Sequence, residues 1–185
     1  MSTSHQLAPQ AVLAPLAVVT VVAMIWLLHR RAALAVPRVL AGLAACAYVV
    51  GIVANTVLPI EIGSSGPRPS WTVFLNLVPL AGTEPRDMLA NVLVFAPLGV
   101  LLPVVARVRS ARGVVLTGFL LSLAMELLQL ANAVTGHGGH VADVNDLLAN
   151  TIGAPLGLAV LRLAVRVRPV ARLVRAATWP AVADR

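Results

Sequence analysis

The feature that most constrains this chain is a series of five apolar segments, each about 20 residues long and separated by polar connections. A helix rises about 1.5 Å per residue, so a segment of that length crosses a hydrocarbon core of about 30 Å. The segments lie at about residues 9–28, 39–58, 88–106, 113–131 and 144–164. The sequence therefore predicts an all-α, polytopic integral membrane protein, with five transmembrane helices in a single membrane domain over residues 1–185.

The composition excludes a water-soluble enzyme. Hydrophobic residues make up 59% of the chain and charged residues 11%, whereas soluble domains are about 25% charged. The single cysteine, Cys46, cannot form a disulfide within the chain. The net charge of +7 comes entirely from arginine. In a membrane protein such an excess indicates cytoplasmic loops facing anionic lipid, so no nucleic-acid partner is expected.

The arginines alternate along the connections and predict the orientation. Twelve lie in the first and third connections and from Arg162 onward, whereas the other two connections hold only Arg68 and Arg86. Because arginine-rich connections stay in the cytoplasm, the N-terminus is expected outside and the C-terminus inside. Residues 165–185 then form a basic cytoplasmic tail, and the stretch from Arg162 to Trp179 is expected to be a surface-lying basic helix that Pro169 interrupts.

Polar side chains recur within three of the predicted spans. Glu126 lies 13 residues beyond Gly113, where the fourth span enters from the cytoplasm. This places Glu126 about 20 Å from the cytoplasmic surface of the hydrocarbon core. Such residues usually face the interior of a helix bundle. We expect an outward-facing polar pocket whose candidate binding residues are Asn91, Glu126, Gln129, Asp143, Asp146 and Asn150. The alternative is that these side chains only hydrogen-bond between helices and hold the bundle together.

The fifth segment carries two further structural signals. Gly153 and Gly157 form a small-x-x-x-small face, which permits the close approach of a second helix. Asp146 is expected to accept hydrogen bonds from the first free N–H groups of this helix.

Signals for catalysis and metal binding are weak. The sequence lacks nucleophile and nucleotide-binding motifs, and Ser122, one turn below Glu126, has no histidine at its depth. His137 and His140 precede Asp143 and could in principle contribute to a metal site. Neighbouring glycines make that region a loop, where regular spacing carries no geometric meaning. No metal, cofactor or catalytic residue is therefore predicted.

Three motifs, in order and spacing, resemble the VanZ-like membrane proteins over about residues 76–157. The first is Asn-Leu-Val-Pro at 76–79 followed by the run at 91–99, and the second is Glu-Leu-Leu-Gln at 126–129. The third is the run at 143–153, with Gly157 after it. Family members usually carry an arginine shortly before the last motif, where this chain has His140. A histidine supplies a positive charge there only when it is protonated.

The resemblance implies a small bacterial protein of the cell envelope in the cytoplasmic membrane, without an established reaction. The family is named for a protein that confers low-level resistance to the lipoglycopeptide teicoplanin. We therefore expect the pocket to bind a membrane lipid, a lipid-linked glycan precursor or a lipophilic glycopeptide, and to influence teicoplanin susceptibility. Two alternatives stay open: a membrane enzyme using Glu126, Asp143 and Asp146 on a lipid head group, and a structural partner subunit. The sequence leaves the oligomeric state open.

Overall fold

The computed structural model describes residues 5–62, 70–138 and 140–181, and it is mostly helical. The long helices are α1 (Gln10–Arg30), α2 (Val36–Val57), α3 (Pro85–Leu101), α4 (Ala111–Thr135) and α5 (Val144–Ala164). A short helix, α6 (Arg168–Ala177), follows them, and α3 continues into a π-helical turn (Leu102–Ala106). Each long helix, α3 together with its π-helical turn, is long and apolar enough to cross a membrane, as the sequence predicts.

Four two-residue strands tie the connections together. Strand β1 (His5–Gln6) pairs antiparallel with β2 (Glu61–Ile62), and β3 (Leu75–Asn76) pairs parallel with β4 (Ala142–Asp143). A one-turn 3-10 helix (Trp71–Phe74) precedes β3. The β3–β4 pairing places the connection between α2 and α3 directly beside the first turn of α5.

Helices α3 and α5 form the closely packed centre of the bundle, and α4 packs against α5. A β-carbon added at Gly99 would overlap the carbonyl oxygen of Ala154, and one added at Gly157 would overlap that of Ala96. A β-carbon added at Gly153 would likewise overlap the carbonyl oxygen of Val92. The prediction that Gly153 and Gly157 permit close helix approach is confirmed, because only glycine leaves room for the facing backbone.

The two ends of the bundle carry opposite charge. Five described acidic residues lie on the connections and first helix turns at one end, here called the acidic end: Glu61, Glu84, Asp87, Asp143 and Asp146. The sixth, Glu126, lies within α4 and contacts Asp143 at that end. Eleven described arginines lie at the other, here called the arginine-rich end: Arg30, Arg31, Arg38, Arg107, Arg109, Arg112, Arg162, Arg166, Arg168, Arg172 and Arg175. Among the described residues, Arg86 is the one arginine at the acidic end.

The segment after α5 folds back onto the bundle at the arginine-rich end. Helix α6 begins at Arg168, and Pro169 lies in its first turn. The expected interruption is present, because the helical run breaks at residues 165–167, between α5 and α6, just before Pro169. Pro169 itself lies in the first turn of α6, where a proline breaks no intrahelical hydrogen bond.

Trp179 anchors this segment to α1, α2 and the end of α3. Its side chain is buried with Met24 and Leu28 of α1. Its indole Nε1 donates to the carbonyl oxygen of Arg38 at 3.1 Å, and its backbone N–H donates to that of Val104 at 2.9 Å. Residues 178–180, beyond α6, are thus packed against the bundle.

Candidate functional site

The site begins with Glu126, which α4 holds in the interior of the acidic end. Its side chain is buried, with 7% of its surface exposed. Its Oε2 accepts a hydrogen bond of 2.8 Å from the backbone N–H of Asp143. A buried carboxylate is costly unless it is hydrogen-bonded, so this bond stabilises both Glu126 and the strand that leads into α5.

Asp143 connects α5 to the α2–α3 connection. Its Oδ1 accepts from the backbone N–H of Asn145 at 2.7 Å, which makes Asp143 the N-cap of α5. Its Oδ2 accepts from Nδ2 of Asn76 at 2.9 Å. The expectation that Asp146 caps α5 is wrong: Asp146 lies in the first helical turn, and Asp143 occupies the position before the helix.

Asn145 fixes the loop that covers this end of the bundle. It is fully buried, and its Oδ1 accepts from the backbone N–H of Leu80 at 2.6 Å. Its Nδ2 donates to Oγ1 of Thr83 at 2.8 Å and to Oδ1 of Asp143 at 2.9 Å. Leu80 has φ +63°, a left-handed conformation that is unusual for a β-carbon-bearing residue. The hydrogen bond from Leu80 helps to hold that conformation.

An acidic pocket of about 270 Å³ lies between this loop, α3 and α5. It is lined by Gly82, Thr83, Asp87, Ala90, Asn91, Asp143 and Asp146. On its wall Nδ2 of Asn91 donates to Oδ1 of Asp146, so these two predicted pocket residues, on α3 and α5, are in contact. Asp146 interacts electrostatically with Asp87 and Asp143, and Glu126 interacts with Asp143 and Asp146. The pocket therefore presents concentrated negative charge and many hydrogen-bond acceptors.

An apolar groove of about 150 Å³ lies beside the acidic pocket. It is lined by Leu75, Leu77, Leu123, Glu126, Leu127, Leu130, Ala142, Asp143, Val144 and Leu147. Asp143 is common to the walls of the pocket and the groove. The acidic end thus combines polar and apolar surfaces around one carboxylate.

The deeper polar residues form a separate pair. Nδ2 of Asn150 donates to Oγ of Ser122 at 3.0 Å, and both side chains are buried. Oδ1 of Asn150 is buried and has no hydrogen-bond partner among the described residues. Gln129 is buried one turn above Glu126, and its side chain makes no hydrogen bond within the described part of the chain.

The structure brings together most of the predicted residues, and it adds two that the prediction omitted. Glu126 and Asp143 are in direct contact, as are Asn91 and Asp146. Asn150 instead bonds Ser122, farther from the acidic end. The omitted residues are Asn76 and Asn145, which hold the covering loop against Asp143. Their presence in the first and last motifs was a usable signal. In the described ranges no three His, Cys, Asp or Glu side chains are placed to hold a metal ion.

The fold defines a multi-pass membrane protein whose three central spans carry a polar site at one end. The family profile VanZ/LLP1 matches residues 45–165, which include the whole of that site and more than half of the chain. The chain belongs to the VanZ/LLP1 family. Searches of curated proteins and of solved structures found no match.

Proposed function

We propose that this protein binds the head group of an amphiphile at the acidic end, on the outer side of the bacterial cytoplasmic membrane. The amphiphile is a lipid, a lipid-linked glycan or a lipophilic glycopeptide, and its binding influences teicoplanin susceptibility. The observation that carries the proposal is the contiguity of the acidic pocket and the apolar groove around Asp143.

The charge asymmetry of the bundle supports this orientation. Eleven described arginines lie at one end and one at the other. Arginine-rich ends stay on the cytoplasmic side of bacterial membranes. The acidic end, and with it the pocket, then faces outward, and the N-terminus lies outside.

The donors and acceptors on the pocket wall indicate the class of head group. Carboxylates are acceptors only, and the wall carries three of them: Asp87, Asp143 and Asp146. Among the described residues no arginine or lysine lines the pocket, so its carboxylates would repel a phosphate. Hydroxyl and ammonium groups are donors, so a sugar or an amine-bearing head group complements this wall. The apolar groove beside it takes the hydrophobic part of the same molecule.

A structural role for these residues is the second candidate function, and the side-chain pairings favour it. Asn91 with Asp146, and Glu126 with the N–H of Asp143, already satisfy one another. Polar pairs of this kind hold membrane helices together at about 0.6–2 kcal/mol each. Glu126→Gln separates the functions, since it barely changes a structural subunit, weakens a binding protein and abolishes an enzyme that needs the carboxylate.

Binding of teicoplanin to the full chain in lipid nanodiscs tests the proposal. The double variant Asp87→Asn with Asp146→Asn removes two pocket charges and is expected to weaken Kd by about tenfold or more, the equivalent of 1.4 kcal/mol. Glu84→Gln is the matched control, because Glu84 is exposed at the same end but does not line the pocket. Equal affinity in the double variant and the control would overturn the pocket as the binding site.

A topology assay tests the orientation separately. A reporter inserted at Gly138 is expected to be active outside the cytoplasm, and one fused after the final residue is expected to be active inside. A cytoplasmic reporter at Gly138 would overturn the outward placement of the pocket without bearing on the hydrogen-bonded site itself.

A further inference from the structure

A second cavity lies at the arginine-rich end, between the π-helical turn after α3, the end of α5 and α6. Its volume is about 410 Å³. Its floor is apolar and includes Val104, Leu158 and Leu161, which are buried. Its rim carries three arginines, Arg109, Arg162 and Arg175. We call it the arginine-rimmed cavity.

The three rim guanidinium groups have no acidic partner within the described part of the chain. Five of the six described acidic residues lie at the acidic end of the bundle, and the sixth, Glu126, contacts Asp143 there. Arg162 donates from one guanidinium nitrogen to the carbonyl oxygen of Arg109 at 3.0 Å, which fixes its side chain beside the cavity. The remaining N–H groups of the three arginines are available, because all three residues are exposed.

The sequence of α6 directs one cation and several apolar groups to the same cavity. Ala171 and Val174 lie three residues apart and therefore share one side of α6, and Thr178 follows directly after the helix. All three line the cavity together with Arg175. The cavity thus has an apolar wall on both sides and a cationic rim, which matches an anionic head group attached to hydrocarbon chains.

We propose that the arginine-rimmed cavity binds an anionic glycerophospholipid of the adjacent leaflet. The phosphate accepts hydrogen bonds from Arg109, Arg162 and Arg175, and the first part of an acyl chain packs on the floor at Leu158 and Leu161. Guanidinium groups suit this role because their planar N–H donors match phosphate oxygens in pairs. Basic pockets between membrane helices bind anionic lipid head groups in the same way.

This site is independent of the proposed amphiphile site. The two lie at opposite ends of the bundle and have no residue in common. Their electrostatics are also opposite, since the acidic pocket repels phosphate. Failure of either proposal leaves the other standing.

The test is native mass spectrometry of the full chain, titrated with phosphatidylglycerol, phosphatidylcholine or inorganic phosphate. The variant with Arg109→Gln, Arg162→Gln and Arg175→Gln is expected to lose phosphatidylglycerol affinity by about tenfold or more. The control replaces three exposed arginines of the same end that do not line the cavity, Arg112, Arg166 and Arg172, with glutamine. The control is expected to stay within about twofold of the unmodified protein.

A second variant tests the apolar wall without changing charge. Ala171→Phe fills part of the cavity and is expected to weaken phosphatidylglycerol binding while the three arginines remain. Equal loss in the control triple variant would overturn the site in favour of general surface charge. Phosphatidylcholine binding as tightly as phosphatidylglycerol would also overturn it. Inorganic phosphate binding as tightly as the lipid, and unaffected by Ala171→Phe, would assign the rim to a free anion instead.

Discussion

The two ends of the bundle use charged side chains in opposite ways. At the acidic end, carboxylates accept hydrogen bonds from neighbouring side chains and backbone N–H groups. Asp143, for example, accepts from both Asn76 and Asn145. At the arginine-rich end, Arg31, Arg38 and Arg162 donate to backbone carbonyl oxygens of distant segments. The first end is a defined polar site built from paired groups. The second holds chain segments together and keeps its positive charge uncompensated by any described acidic residue.

The close contact between α3 and α5 connects the two ends of the bundle rigidly. Gly157→Val places side-chain atoms where the backbone of Ala96 lies, so both ends should be lost together. We expect a destabilisation of more than about 3 kcal/mol, the upper range for overpacked cores, seen as loss of monodisperse protein in detergent. Gly51→Val is the control, since a β-carbon there meets nothing within 4 Å. Normal yield for Gly157→Val would contradict the close packing.

The ends are expected to loosen separately when their own anchors are removed. Trp179→Ala removes a buried indole at the arginine-rich end and should cost about 3–5 kcal/mol locally. Hydrogen exchange should rise in α6 and stay unchanged in residues 75–83. Trp71→Ala serves as the control because Trp71 is 56% exposed. Faster exchange at both ends would show that they are not independent.

Asp143 is the corresponding anchor at the acidic end. Asp143→Ala removes the N-cap of α5 and a charged acceptor, and it should cost about 2–4 kcal/mol. Relief of repulsion from Glu126 and Asp146 offsets part of this loss. Exchange should rise in residues 75–83 and not in α6. Glu84→Ala, at an N-cap whose side chain makes no capping hydrogen bond, should leave both regions unchanged.

The smallest loss of stability is expected at the Asn150–Ser122 pair, which lies between the two ends of the bundle. Ser122→Ala removes the single hydrogen bond from Asn150 and should lower stability by about 0.6–2 kcal/mol, measured by thermal unfolding in detergent. Thr117→Ala, whose hydroxyl bonds within its own helix, should change stability less. If Ser122→Ala were as damaging as Asp143→Ala, the deeper pair would belong to the acidic-end site rather than lie apart from it.

Much of the helical fold could be predicted from the sequence because apolar length and small-residue spacing are local properties. The five spans and the Gly153–Gly157 face follow from such patterns. The partners of the polar residues do not, since they depend on loop closure. Glu126 bonds a backbone N–H 17 residues away, and Asn145 bonds Leu80 across 65 residues. No periodicity encodes either contact.

The position of the C-terminal segment also depends on contacts with distant residues, which local sequence patterns do not reveal. Arginines among valines and leucines predicted a basic surface helix, and α6 fits that description. Trp179 was expected to lie in that surface helix, yet it is buried against α1. A tryptophan near charged residues is typical of a membrane interface. The buried residues that surround Trp179 are Met24, Leu28, Ala33 and Cys46, all more than 130 positions earlier in the chain.

The position of Trp179 has a consequence for biosynthesis. Its indole donates to the carbonyl oxygen of Arg38, which precedes it by 141 residues. At about 5–20 residues per second, a ribosome needs about 7–28 s to make the intervening chain. Helices α1 and α2 are therefore synthesised well before Trp179, and the position that its indole occupies between them is empty for that time. During that interval the apolar side chains of Met24 and Leu28 have no indole to pack against.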